Sequence, residues 1–579
     1  MLVRHPCGVL PSLFLLASSA FAAVPVPIPA TNPSPDLTTV YSNFFGISIE
    51  LSFANYYFGN DSNTVPQPVV EYLSALRERG SGKPVRLRLG GNSMDSSTYV
   101  PDQPDIIEFT DPNANSNDQP VNYGEKMFEA MNALSDKVGG AEYLIGLSLR
   151  NPNNTNIPLL AGDAQHFLGD KLDAFLLGNE PDLYTAHGQR PNIKNYTEFD
   201  YIGEYWEVFA ALSKTPQGDV LSLDKIAGPT ICCFWDLAPL LVPGGWLDQF
   251  NERLKYITLQ HYPQNNCFGS YQYEIDYYLH HANAVGLAKW QDSGLDIIRK
   301  QPAETRKPVI MDEFNSASCG GIPGISDTFA ATLWGADYGL QLAAVGYSAA
   351  YLHTREVGVT YNLFDPPPTV AAGSGPWTTN PSFYTYLPVS EALQGNNGSK
   401  VVDLNIQNSA TDKSQSVAGY GIYDASSNSI HHLVLFNFDN ATTGPVEFTL
   451  PSELFTSTDS NVAVRFLTAP HVNEKHDIAW GNLTWSGVGD GKPVTASGSW
   501  VQNDQTIACA QGCTVSVPGP ALAVVYVGGF DAPSAPANTS TTKPGGSNNT
   551  QDSDASVGVH AVGLGVLLSA AAVGFSLVI

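Results

Sequence analysis

From about Val40 to Tyr386, short apolar runs alternate with stretches whose apolar residues recur at helical spacing. The runs are Gly46 to Leu51, Pro84 to Leu89, Tyr143 to Leu149, Ala174 to Leu177, Lys225 to Pro229, Tyr256 to Gln260, Pro308 to Met311 and Gly346 to Leu352. Pro68 to Arg79, Ile202 to Ser213 and Phe329 to Ala344 are among the helical stretches between them. Strands separated by helices build a parallel sheet, and eight such units predict an α/β fold, a (β/α)8 TIM barrel over 41–386. An open doubly wound sheet is the alternative, and no glycine-rich nucleotide fingerprint follows the first run to favour it. A barrel of this kind carries its active site at the C-terminal ends of its strands.

After about Leu387 the period changes to two. His431 to Phe436, Val462 to Phe466 and Ala521 to Val527 are separated by turns rich in Gly, Asn, Asp and Ser, which predicts an antiparallel β-sandwich over 387–530. No repeat of solenoid or propeller length is present. Residues 23–40 are proline-rich from Val24 to Pro35 and are a candidate edge strand for the sandwich, which the sequence leaves open. Arg4 and His5 precede an apolar run, Gly8 to Ala17, and Ala20-Phe21-Ala22, so residues 1–22 read as a signal peptide. Residues 531–555 form a linker of Pro, Ser, Thr, Asn and Gly, and 556–579 include the apolar stretch Ala561 to Ile579 without a basic flank. Small residues, a polar spacer and an apolar tail predict a GPI signal, with Ser547, Asn548 or Asn549 as the attachment position and a plain transmembrane anchor as the alternative.

Composition narrows the function. The chain of 579 residues carries 28 Lys and Arg against 55 Asp and Glu, a formal net charge of −27. That excludes nucleic acid as a partner and counts against long polyanionic glycans. Aromatic residues make up 11% of the chain, which suits a cleft where flat rings pack on sugar faces and equally suits a large core. Cys7 falls in the signal peptide, leaving an even set of disulfide candidates: Cys232, Cys233, Cys267, Cys319, Cys509 and Cys513. Adjacent Cys232 and Cys233 are not expected to pair with each other, so that one or both reach Cys267 and Cys319, and Cys509 and Cys513 can close a small loop. The spacing matches no common zinc pattern, so no metal and no organic cofactor are expected. Glycosylation sequons at Asn60, Asn153, Asn195, Asn397, Asn440 and Asn482, with two more at Asn538 and Asn548 in the linker, fit a secreted, extracellular glycoprotein.

Two carboxylates stand out. Leu177-Gly178-Asn179-Glu180-Pro181-Asp182 ends the fourth predicted strand, and Val309-Ile310-Met311-Asp312-Glu313-Phe314-Asn315 ends the seventh. Both glutamates therefore fall on the catalytic rim, from opposite sides. Cleavage of a glycoside needs an acid to protonate the leaving oxygen and a carboxylate on the other face of the sugar. Asn179 could bind a hydroxyl beside the reacting carbon. Asp182 and Asp312 are the rival carboxylates, and strand alternation turns Asp312 away from Glu313, into the barrel wall.

These motifs resemble the retaining (β/α)8 glycosidases. Leu89-Gly90-Gly91-Asn92-Ser93, Gly178 to Leu183, Gln260-His261-Tyr262 and Asp312-Glu313-Phe314-Asn315 together resemble glycoside hydrolase family 79, and within it the fungal β-glucuronidase branch related to heparanase. The resemblance implies a retaining exo-β-glucuronidase that removes terminal β-linked glucuronic acid, or its 4-O-methyl ether, from a glycan. It implies Glu180 as acid/base, Glu313 as nucleophile, Tyr262 as the residue that orients the nucleophile, and Glu50, Asn92 and Asn179 as binders of sugar hydroxyls. His353, Arg355 and Tyr361 are candidates for holding the uronate carboxylate by their chemistry, with an Arg355–Glu356 pair as the competing arrangement. An endo-acting, heparanase-like enzyme and an inert wall-anchored carbohydrate-binding protein are the alternatives. The oligomeric state is left open.

Overall fold

The computed structural model describes residues 23–29, 33–34, 36–367, 375–440, 444–455 and 460–529. The expected signal peptide, linker and GPI tail lie outside these residues. Eight parallel strands close into a barrel: β1 (Phe45–Glu50), β2 (Val85–Gly90), β3 (Ala141–Leu147), β4 (Leu172–Leu177), β5 (Ile226–Ile231), β6 (Leu254–His261), β7 (Val309–Phe314) and β8 (Tyr347–Thr354). They follow one another around the ring in chain order, β8 pairing with β1.

The strands are apolar on both faces because each face is buried. Tyr143, Ile145, Phe175, Leu177, Val309 and Met311 join the core beneath the helices. Their neighbours Leu144, Ala174, Leu176, Ala227, Ile310, Ala349 and Tyr351 form a smaller core inside the barrel. By the same alternation Leu87 and Leu89 face the helices, so Arg86 and Arg88 of β2 point inward. The helices close the units with ordinary local signals. Helix Gln67–Arg79 buries Val69, Val70, Leu73 and Leu76 on one side. Helix Glu198–Leu212 begins on a capping box in which the Thr197 N–H donates to Asp200 at 2.8 Å.

Helix Tyr386–Ala392 spans the boundary expected at 386/387, and the first strand of the next domain is Ser399–Asp403. That domain has one large sheet, in which Ile430–Asn437 pairs antiparallel with Val417–Asp424 and Ala521–Val527. A three-stranded sheet places Val446–Leu450 between Cys513–Val517 and the N-terminal Val24–Pro25, which joins in parallel. Leu433, Leu435, Val464 and Val525 pack with Phe448, Leu450, Val515 and Val517 between the sheets. Val434, Phe436, Leu522 and Val524, from the other face of the large sheet, belong to the barrel's core instead. The six sequon asparagines from Asn60 to Asn482 are all exposed.

Three disulfides are formed: Cys267–Cys319, Cys509–Cys513 and, against expectation, Cys232–Cys233. Cys267 and Cys319 sit on loops that follow β6 and β7, drawn together where Asn265 bridges Ser318, which places each beside the other. Cys232 and Cys233 are left to pair between neighbours, with Cα atoms 3.7 Å apart.

Candidate active site

Glu180 follows β4 in the sequence Gly178-Asn179-Glu180-Pro181. A proline disfavours right-handed helical backbone in the residue before it, and Glu180 adopts the left-handed region with φ +47°. For a residue with a Cβ this costs about 1–3 kcal/mol. Its N–H donates to the Thr230 carbonyl at 3.2 Å, which fixes the turn against the end of β5. Its carboxyl is half-buried and receives no hydrogen bond from another described residue. Burial, then the negative charges of Glu313 and Asp182, push its pKa well above the ordinary carboxylate range. That is the state a general acid needs.

Glu313 is held the opposite way. Its Oε1 accepts from the Tyr262 hydroxyl at 2.8 Å, its Oε2 accepts from Arg88 Nη1, and His353 Nδ1 lies 3.7 Å from Oε2. Burial would raise this carboxyl, but His353, Arg88 and Tyr262 outweigh it and hold the pKa below its usual value. Tyr262 stands one residue past β6 and donates rather than ionises, since burial and Glu313 push its own pKa far up.

Asp312 does not point into the wall. Its Oδ2 lies 3.5 Å from Arg88 Nε and accepts from Gln260 Nε2 at 3.1 Å, inside the barrel. The pairing register shifts between Leu259 and Gln260 and again between Met311 and Phe314. These bulges break strict alternation, so consecutive carboxylates both serve the interior. Burial pushes Asp312 up to about 7 in spite of Arg88. The other rival, Asp182, accepts from the backbone N–H groups of Cys233 (2.7 Å), Phe234 (2.8 Å) and Cys232 (3.2 Å), and so holds the turn after β5.

Of the remaining candidates, Glu50, His353, Asn92 and Asn179 are linked through Ser48 and Arg88, and Arg355 and Tyr361 lie beyond β8. Glu50 accepts from the Ser93 N–H at 2.8 Å and lies 3.2 Å from His353 Nε2. Burial would raise its pKa, yet His353 and Arg355 bring it below the ordinary value. Gly91, with φ +82°, makes room: a Cβ there would overlap the Glu50 carboxylate. Asn179 Oδ1 accepts from Arg88 Nη2 at 2.8 Å and Gln260 Nε2 at 3.0 Å, and its Nδ2 donates to Asn92 Oδ1 at 3.0 Å. Arg355 is committed within the protein, to Glu356 at 2.8 Å, the Ser116 carbonyl at 2.6 Å and Asn117 Oδ1. This is the competing Arg355–Glu356 arrangement, extended to the 116–118 turn. Tyr361 is buried, its ring centroid 6.1 Å from that of His353.

Arg88 is the residue that sequence reading passed over. It reaches Glu313, Asp312, Asn179 and, at 2.8 Å, the Ser48 hydroxyl, from a side chain only 1% exposed. The signal was an arginine at an inward position of a barrel strand, where an unpaired charge would be costly. Among the described residues, Glu180, Cys232 and Cys233 bring oxygen and sulfur atoms within 4.8 Å of one another. Metal binding would need thiolates, and these two sulfurs are bonded to each other.

Residues 419–524 match the glycosyl hydrolase family 79 C-terminal beta domain. A β-glucuronidase of Aspergillus niger is 26% identical over 529 residues, 85% of this chain and 94% of that protein. A β-glucuronidase of Neurospora crassa is 24% identical over 66% of this chain and 69% of its own. Among solved structures, a 4-O-α-L-rhamnosyl-β-D-glucuronidase from Fusarium oxysporum superposes with a TM-score of 0.69 at 21% identity, covering 87% of this chain and all of that one. A family 51 arabinofuranosidase from Xanthomonas axonopodis shares the fold at a TM-score of 0.56 and 13% identity, over 85% of this chain and 97% of its own. The C-terminal domain thus matches that of glycoside hydrolase family 79, and both curated relatives align along most of the chain.

Proposed function

We propose that this protein is a retaining exo-β-glucuronidase in which Glu180 is the acid/base and Glu313 the nucleophile. One observation carries the mechanism: two neighbouring buried carboxyls are driven in opposite directions, Glu180 toward its protonated form and Glu313 toward its charged form. Ionised Glu313 attacks the anomeric carbon as protonated Glu180 gives its proton to the leaving oxygen. Glu180, now a carboxylate, then takes a proton from the water that releases the sugar. Arg88 and Tyr262 hold Glu313 charged and aimed, and Asn179, Asn92 and Glu50 line the side where sugar hydroxyls bind. The names of the two curated relatives support glucuronic acid as the sugar. Tyr361 is our choice for the donor to the uronate, because Arg355 and His353 already serve protein groups.

Hydrolysis of aryl β-glucuronide, galactoside and glucoside tests this directly. The glucuronide should be fastest, with the β anomer appearing first by NMR. Faster galactoside or glucoside cleavage overturns the sugar, and initial release of the α anomer overturns both role assignments. We further propose that the protein is secreted and held at the outer surface by a GPI anchor, on the strength of the apolar segments at 8–17 and 561–579 and the polar spacer. Phosphatidylinositol-specific phospholipase C should release activity from intact cells, and activity that stays bound while Ile579 is still present counts against it.

A further inference from the structure

The turn after β5 is built unlike any other part of the mouth. Asp182 gathers the backbone N–H groups of Cys232, Cys233 and Phe234, so three consecutive amides are spent on one buried carboxylate. The Cys232 carbonyl lies 3.3 Å from His261 Nδ1, and burial pushes that imidazole down to about 4. With these polar groups occupied, the turn offers a ligand the Cys233 side of the disulfide, backed by buried Cys232, and a phenyl ring. Cys233 is exposed, and the next residue, Phe234, is 70% exposed. The sulfurs lie within 4.8 Å of a Glu180 carboxyl oxygen.

Position decides which part of the substrate this surface meets. A general acid stands within about 2.6–3.2 Å of the oxygen it protonates, so groups beside it border the bond being broken. Of the groups that hold Glu313 or are candidates for sugar hydroxyls, Glu50, Arg88, Asn92 and His353 come from β1, β2 and β8 or just after them, while Asn179 follows β4 and Tyr262 follows β6. β5 lies four strands from β1 in either direction around the eight-stranded ring. The disulfide therefore stands across the mouth from Glu50, Asn92 and His353, on the Glu180 side and next to the bond that Glu180 protonates.

We propose that the Cys232–Cys233 disulfide and the Phe234 ring form the leaving-group subsite, an apolar and polarizable platform for a flat ring, either an aromatic aglycone or the apolar face of a second sugar. This rests on the glycosidase reading above. Asp182 fixes the platform at a constant height relative to Glu180, two residues away in sequence. The disulfide shortens the side chains into a compact ridge and leaves no ionisable thiol next to the acid.

The test compares wild type with Phe234→Ala and with Cys232→Ser/Cys233→Ser on methyl, para-nitrophenyl and galactosyl β-glucuronides. Both variants should lower the ratio of kcat/KM for ring-bearing over methyl substrates about ten-fold, mainly through KM, the scale of losing a ring contact in an apolar pocket. A fall confined to the para-nitrophenyl arm assigns the platform to aromatic aglycones, and a fall in the galactosyl arm as well assigns it to sugars. An unchanged ratio, including equal losses on every substrate, overturns the proposal. A fall in Phe234→Ala alone overturns the part given to the disulfide. Phe234→Ala keeps the backbone N–H that Asp182 uses, so it decides the matter where the double variant does not fold. If wild type cleaves another aryl glycoside and no glucuronide, the sugar assignment fails while the same ratios on that glycoside still test the platform.

Discussion

The barrel mouth and the seam between the barrel and the sandwich bury the same kinds of side chain and treat them differently. At the seam, Glu391 of helix Tyr386–Ala392 is 1% exposed. Its Oε1 accepts from Trp480 Nε1 at 2.8 Å and lies 3.3 Å from Arg79 Nε, while its Oε2 accepts from Arg465 Nη1 at 2.9 Å and the Tyr526 hydroxyl at 2.6 Å. At the mouth, Glu313 likewise takes one arginine and one tyrosine. The contrast is Glu180, which shares the mouth with Glu313 and has no such donor among the described residues. At the mouth, Glu313 with its donors is held toward its charged form, and Glu180 without them is pushed toward its protonated form. The seam uses burial to lock two domains. The mouth uses it to hold one proton ready beside one charge.

Breaking the mouth should have the largest effect. Glu313→Gln keeps the shape and removes the attacking oxygen, so kcat on an aryl glucuronide should fall about 10^4-fold or more. A loss below ten-fold would place the nucleophile elsewhere. Glu180→Gln should cost less with an activated phenol, about 10^2-fold, because such a leaving group needs little protonation. On a poor leaving group such as methanol the same variant should lose far more. Equal losses on the two substrates would remove the acid role.

Breaking the seam should leave chemistry alone and cost stability instead. Glu391→Ala takes from Arg79 its buried carboxylate while Arg465 keeps its pair with Asp504, and loss of one partner from a buried pair costs about 3–5 kcal/mol. Urea unfolding should show that loss, while kcat per folded molecule stays within a factor of two. A large drop in kcat would mean that the seam also sets the geometry of the mouth.

The two regions were unequally legible in the sequence. The barrel could be read because eight apolar runs alternate with amphipathic helices, and Glu180 and Glu313 because a strand end places a side chain on the rim. Arg88 was visible only as a charge in a strand, since its role depends on Glu313, 225 positions away. Asp312 was misplaced because a bulge, which leaves no mark in composition, overrides alternation. The Cys232–Cys233 bond was missed because pairing is decided by which loops meet, and Cys267 meets Cys319. Nothing local marks Glu391: its partners Arg79, Arg465, Trp480 and Tyr526 come from four distant segments. Carboxylates on strand ends inherit their place from the fold's topology, whereas a domain seam is specified only by the final packing.

The finest test of the comparison is pH, because each region should titrate a different property. The proposed mechanism needs Glu180 protonated and Glu313 charged, so kcat/KM should be bell-shaped. The acidic limb should lie below the ordinary carboxylate range, where Glu313 takes up a proton, and the basic limb above it, where Glu180 loses one. The seam holds a second buried cluster with the opposite habit. His281 Nδ1 is 2.8 Å from Asp337 of helix Phe329–Val345, and its Nε2 is 3.3 Å from Asp403 of strand Ser399–Asp403. The Tyr420 hydroxyl donates to the same Asp337 at 2.6 Å, with its ring edge-on to the imidazole. Burial would lower the imidazole, but the two carboxylates raise it from 6.5 to about 10. A base whose folded pKa is raised stabilises the fold fully below its unfolded pKa, and that contribution is lost as pH rises toward the folded value. Stability should therefore decline between about pH 6.5 and 10, by on the order of 1–2 kcal/mol once sharing of the proton with the tyrosine and two aspartates is allowed for. His281→Gln should flatten that decline in thermal melts and leave both limbs of the activity profile where they were. If the variant instead moves a limb of the kcat/KM profile, the seam and the mouth titrate together, and the division of labour drawn between them fails.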